Sequence, residues 1–201
     1  MQQRKKQPQL TRRVILDAAG EGFSRAGFAG TGLGEIVAGA ARTKGALFHH
    51  FPDKQALALA WIEERLAPAI DAQWLVPLQD ADSLGTLKNV CRLRLGELQA
   101  GDATSTLAAL TAELGALHGV LGQRLALIYE RWRTAVAELL ERGKAAGGIH
   151  RSIKPTAEAA FLVALVTGAS VTAACAREPA ALRACATALE DYLDTLRNVS
   201  P

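Results

Sequence analysis

Residues 31–54 read Thr31-Gly-Leu-Gly-Glu-Ile-Val-Ala-Gly-Ala-Ala-Arg-Thr-Lys-Gly-Ala-Leu-Phe-His-His-Phe-Pro-Asp-Lys54. The spacing predicts two short helices joined by a tight turn. Leu33, Ile36, Val37 and Ala40 recur at helical spacing and form an inward stripe on the first. Leu47 and Phe51, four apart, do the same on the second, whose other side carries Lys44 and His49. A helix that short is unstable alone. Braced by a neighbour, it can offer its polar face to the major groove of DNA. Thr43 stands where an N-cap belongs, and the helix end it caps carries a partial positive charge suited to phosphate. Pro52-Asp53 ends the second helix and caps the next, beginning at about Lys54.

Gly27-Phe28, Thr31, Ile36, the run Thr43-Lys44-Gly45-Ala46-Leu47-Phe48-His49-His50-Phe51 and Lys54 together resemble the DNA-binding signature of the TetR family of transcriptional repressors. The resemblance implies Thr31 and Thr43 on phosphates, and Lys44 and Gly45 at base edges or the adjacent backbone. Phe48 and His49 would lie against the sugar-phosphate chain and thymine methyls, and Lys54 would hold a phosphate. Ala46 belongs to the same DNA-facing set, whereas His50 falls where the family uses a histidine for packing. The chain departs from the pattern in places. Ala41-Arg42 replaces the usual Gly-Val of the turn, which predicts either no left-handed residue there or a strained one. Arg42 is a candidate phosphate contact or a solvated arginine. Phe48 replaces the usual tyrosine and has no hydroxyl to give. Gly34 stands where some members place a base-reading arginine, so no relative's sequence preference carries over.

Charge supports the same reading. Residues 1–54 hold nine Lys/Arg against four Asp/Glu, net +5, and the remaining 147 residues hold 14 against 16, net −2. A basic end on a slightly acidic body is the footprint of a nucleic-acid-binding domain attached to something else. The arm Arg4-Lys5-Lys6 is either a solubilising tail or a groove-lying arm.

With 201 residues, 49% of them hydrophobic and 5% aromatic, the chain can build a sizeable core. No strand alternation is sustained, so the expected fold is all-α with about nine helices. An N-terminal helix-turn-helix domain (1–54) would precede a larger ligand-binding and dimerisation domain (55–201). The first helix is expected at 10–26, with Val14, Ile15, Ala18, Ala19 and Phe23 inward, weakened by Gly20 and Gly22 by about 1 kcal/mol each. Others follow at 54–79 (a bend at Pro68), 83–100, 104–117, 120–146, 156–176 and 179–197. Gly101-Asp102, Gly147-Gly148 and Pro155 separate them.

The first ten residues are polar and basic, unlike a secretory signal, and a cytoplasmic location is expected. Ala159–Ala176 holds eighteen uncharged residues, near the lower limit for a bilayer span. It is rich in small residues, however, and reads as a buried interface helix instead. With the last helix, whose leucine-rich face is Leu182, Leu189, Leu193 and Leu196, it is expected to form a four-helix bundle with a second copy. Such a homodimer, through about 156–197, would present two recognition helices to a palindromic operator.

Regulation falls to the middle of the chain. Trp61, Trp74, Leu98, Leu110, Tyr129, Trp132 and Phe161 are candidates to line an apolar cavity, against plain core as the alternative; the TetR resemblance implies a small-molecule inducer in such a cavity. Leu107-Ala-Ala-Leu-Thr-Ala-Glu-Leu114 with Arg131-Trp132 resembles a TetR subgroup that senses electrophiles and small unsaturated compounds. A cysteine often precedes that segment there; Ser105 stands here, so a sensing thiol does not carry over. Cys91, Cys175 and Cys185 show no metal or redox spacing and are expected as free thiols. His49, His50, His118 and His150 form no metal set, and no cofactor is expected. The function these features favour is a ligand-responsive repressor. The rivals are a small helical enzyme, for which no catalytic constellation is visible, and a protein-binding adaptor.

Overall fold

The turn at Ala41 shows how local physics sets the amino-terminal architecture. The helix Leu33–Gly39 (α2) ends with Ala41 at φ 48. The Ala41 N–H bonds Ala38 O at 3.0 Å and the Arg42 N–H bonds Val37 O at 3.1 Å, the paired bonds of a Schellman motif. Glycine normally takes that left-handed position, so of the two expected alternatives the strained one is found. Thr43 then caps the helix Lys44–His50 (α3), its hydroxyl accepting from Ala46 N at 3.2 Å. Asp53 caps Lys54–Trp61 (α4), accepting from Ala56 N at 2.7 Å.

The computed structural model describes residues 3–79, 84–98, 101–117, 119–176 and 179–198, with side chains from 8 onward except 117, 173–176 and 179. The side chains of the Arg4-Lys5-Lys6 arm, of His118 and of Cys175 lie outside the described residues. Among those described there is no strand, only an isolated bridge between Ile149 and Arg197. The helices α1 (Gln3–Gly30) to α4 are followed by α5 (Leu84–Glu97), α6 (Ala103–Leu114), α7 (Val120–Ala145), α8 (Pro155–Ala176) and α9 (Pro179–Thr195). The fold is all-α. Beyond α4 the chain stays helical through two π-helical turns, Ile62–Leu66 and Asp71–Leu75. Pro68 lies between them and has no N–H for the carbonyl of Glu64. The turn before it widens, with Ala67 N–H on Ile62 O, and the Arg65 guanidinium takes the freed carbonyl at 3.1 Å.

The chain divides into two compact units, Met1–Pro68 with Ala109–Ala126, and Ala69–Ala108 with Leu127–Pro201. In the first, α1 packs on α2, α3 and α4, and Ile15, Leu16, Ala19, Phe23, Ile36, Leu47, Phe51, Leu57 and Trp61 are buried. Gly20 and Gly22 have a reason to stand in α1. A Cβ on Gly20 would lie 2.3 Å from Trp61 Nε1, and one on Gly22 would lie 2.4 Å from Thr31 Cγ2. The helix propensity they forgo makes room for an indole and a threonine.

In the second unit α9 packs chiefly on α5 and also on α8, tied by Lys88 to Asp194 at 2.7 Å. This corrects one expectation. Leu182, Leu189, Leu193 and Leu196 are buried within the subunit and are not free to meet a second copy. Helical period reveals a buried face but not what covers it. In α8, Ala159, Leu162, Val163, Val166 and Ala169 are buried, while Phe161 and Val171 remain exposed. Its stretch Pro155–Thr172, mean hydropathy 1.3, is long and apolar enough to cross a membrane, yet one face of it belongs to this core.

Candidate nucleic-acid interface

The exposed face of α3 follows from how that helix is held. Leu47 and Phe51 anchor its inner side. Thr43, Lys44, Gly45, Phe48 and His49 are exposed together on the outer side, with Ala46 half-buried at its edge. Phe48 stands out, a phenyl ring 49% exposed. His50 is half-buried, and desolvation, then His49 and Arg12, push its imidazole below the ordinary histidine range. Arg42 is half-buried, its guanidinium bonding Ala41 O at 2.9 Å.

Thr31 is a correction. It is 0% exposed, its hydroxyl donates to Gly27 O at 2.7 Å, and its methyl fills the gap over Gly22. The side chain closes the corner between α1 and α2 and is withdrawn from any phosphate. Lys54 is half-buried beside the same corner, Nζ donating to Ala29 O at 3.4 Å and lying 4.6 Å from the centre of the Phe28 ring.

Part of the basic charge is internal. Arg12 makes a two-pronged pair with Glu64, holding its own pKa up and the Glu64 carboxyl down, and lies over Phe51 at 5.1 Å. Arg25 pairs with Glu35 on the first turn of α2, and Arg65 with Asp17 at 2.9 Å. One contributor escaped sequence reading. Glu113, at the end of α6, accepts the Phe28 N–H at 2.8 Å and the Ala29 N–H at 2.6 Å. Nothing in a carboxylate 84 or 85 positions away signals this.

The chain's amino-terminal residues 15–61 match the model of bacterial regulatory proteins of the tetR family, and residues 106–189 match the tetracyclin repressor-like C-terminal domain. The chain belongs to the TetR family. It is 30% identical over 158 residues to the A-factor receptor protein of Streptomyces griseus, covering 79% of this chain and 53% of that one, about half its length. It is 26% identical over 161 residues to the transcriptional repressor DhaR of a Mycobacterium species, covering 79% of each. In fold it resembles a TetR transcriptional regulator from Chloroflexus aurantiacus, with a TM-score of 0.86 at 23% identity over 97% of this chain and 100% of that one. TetR-family helix-turn-helix regulators are thus the proteins this chain is built like.

Of the ligand candidates, Trp61 and Leu110 belong to the first unit and Trp74, Leu98, Tyr129, Trp132 and Phe161 to the second. Trp61 is filled in against Gly20 and Phe23, its ring 5.5 Å from that of Phe23, and Leu110 is buried in the amino-terminal unit. Phe161 is exposed on α8, its ring 5.1 Å from Tyr192. That neighbour's hydroxyl is pushed up to about 12 by desolvation and by its bond to Glu158. Trp74, Trp132 and Tyr129 do cluster in the second unit, with Trp74 and Trp132 4.7 Å apart and Tyr129 stacked on Trp132. Trp74 Nε1 donates to the buried Thr104 hydroxyl at 3.0 Å. Trp74, Leu98, Arg94, Glu97 and Thr104 line a cleft of about 420 Å³. An apolar space bordered by Trp74, Trp132, Cys91, Leu162 and Val166 is closed to about 10 Å³, near the size of one water. Cys91, which burial pushes up to about 12, is a poor thiolate there.

Proposed function

We propose that this chain is a ligand-responsive transcriptional repressor that binds a palindromic operator as a homodimer and is released by a small-molecule inducer. One observation carries it: α3 is capped by Thr43, anchored by Leu47 and Phe51, and turns Lys44, Gly45, Phe48 and His49 outward as one exposed face. Residues 1–54 carry recognition in this reading. Thr43, Lys44, Gly45, Ala46, Phe48 and His49 meet bases and adjacent backbone, and Arg42 and Lys54 meet phosphates. The exposed residues of 156–197, Phe161 and Val171 among them, form the contact with the second copy. The inducer enters the second unit beside Trp74, Leu98, Tyr129 and Trp132. It releases DNA only by binding the DNA-incompetent arrangement more tightly, and tenfold coupling corresponds to about 1.4 kcal/mol. A cytoplasmic location goes with that role. The relative DhaR is by name a repressor, which supports repression over activation.

Selection of bound duplexes from a random pool tests the reading. Enrichment of two inverted half-sites about 10 base pairs apart, or a multiple of that, is expected. Enrichment of no sequence would sink it.

A further inference from the structure

We infer that Glu113 is a positioning residue for DNA binding: it holds the corner from which the helix-turn-helix springs, a role that rests on the DNA-binding reading above. Gly27 breaks α1 at φ 71 and ψ −178. The N–H groups that follow it therefore start a new turn and lack the carbonyls a continuous helix would supply. Those of Phe28 and Ala29 go to the two oxygens of one carboxylate, Oε2 and Oε1 of Glu113. An ionised carboxylate only accepts, so it suits two converging donors, and the charge strengthens both bonds. The fit is close, since a Cβ on Gly27 would lie 2.6 Å from Glu113 Oε2.

The corner is gripped from two other directions. Thr31 closes the corner on Gly27 O, and Lys54 takes Ala29 O. Thr31 is followed by Gly32, the N-cap of α2, so whatever fixes the corner fixes where α2 and α3 begin. Glu113 reaches it from α6, far along the chain, whereas Thr31 and Lys54 belong to the recognition segment itself. An element outside that segment thus holds its origin.

The test uses the full-length protein with Glu113→Gln, which keeps the shape but turns an N–H donor toward a second donor, and Glu113→Ala, which removes both acceptors. Affinity is measured by fluorescence anisotropy for a duplex enriched by the wild type and for a scrambled duplex. Both variants should bind the enriched duplex about tenfold more weakly, about 1.4 kcal/mol, with little change on the scrambled one. The ratio is the decisive readout, because a lost folded fraction lowers both affinities alike. Amide hydrogen exchange by NMR should quicken at Phe28 and Ala29 in Glu113→Gln and stay slow at Leu47. Unchanged exchange at those two amides overturns the clamp. Quickened exchange with an unchanged ratio overturns the positioning role and leaves only a cap. A wild type that prefers no duplex overturns the DNA-binding reading and this role together.

Discussion

Thr31 and Phe48 stand at opposite extremes of burial within the helix-turn-helix segment. Thr31 has no exposed surface and Phe48 is half exposed, although both sit at signature positions. The difference appears in the effect of changing them. Gly22→Ala, which drives a methyl into Thr31, is expected to destabilise the amino-terminal unit by about 1–3 kcal/mol through overpacking, read as a lower Tm. Phe48→Ala should instead leave stability within about 0.5 kcal/mol while weakening binding to the enriched duplex. Equal losses of stability in both variants would show that Phe48 is covered by the protein itself. Lys54 bonds Ala29 O and lies against Phe28; in the phosphate-binding role proposed for it, Lys54→Ala should weaken binding to every sequence.

The elements carry strain and surface in identifiable places. The Schellman turn after α2 places an alanine at φ 48. Ala41→Gly relieves that and is expected to add about 1 kcal/mol in urea unfolding, since the bonds of the motif need no side chain. An unchanged midpoint would mean the strain is compensated elsewhere. For α8 the two faces give opposite outcomes. Val166 is buried within the subunit and Val171 is 46% exposed. Val166→Asp buries an unpaired charge and should unfold the second unit, as several kcal/mol are lost. Val171→Asp should leave circular dichroism intact and shift sedimentation from dimer to monomer. A Val171→Asp protein that stays dimeric would move the interface off this face.

On the scale of the whole molecule, pH and salt act through charges the fold has arranged. Burial, then His49 and Arg12, favour neutral His50 in the folded state. Its contribution to stability is therefore complete above the unfolded value of about 6.5 and is lost as pH falls below that and through the lower folded pKa, because the unfolded chain takes the proton first. His50→Gln should flatten the fall in Tm between neutral and mildly acidic pH; an identical fall would assign it to other groups. Each phosphate neutralised contributes about −0.9 to the log-log salt slope of binding. Arg12 and Arg25 are engaged in ion pairs with Glu64 and Glu35, so the slope should be smaller than the count of basic residues in 1–54 suggests.

Much of this was legible in the sequence because it is local. Helical period marked Ile36, Leu47 and Phe51 as inward, hydroxyl and carboxylate caps marked Thr43 and Asp53, and glycine and proline marked the breaks near 101, 147 and 155. Each depends on neighbours within a turn or two, so composition and spacing suffice to place it. The notches at Gly20 and Gly22, the burial of Thr31, the partner of the leucine face of α9 and the reach of Glu113 to Phe28 and Ala29 belong to the tertiary structure. A period of 3.6 says that a face is covered, and a glycine says that a side chain is missing. What covers the face or enters the space comes from residues tens of positions away, and only packing brings them together.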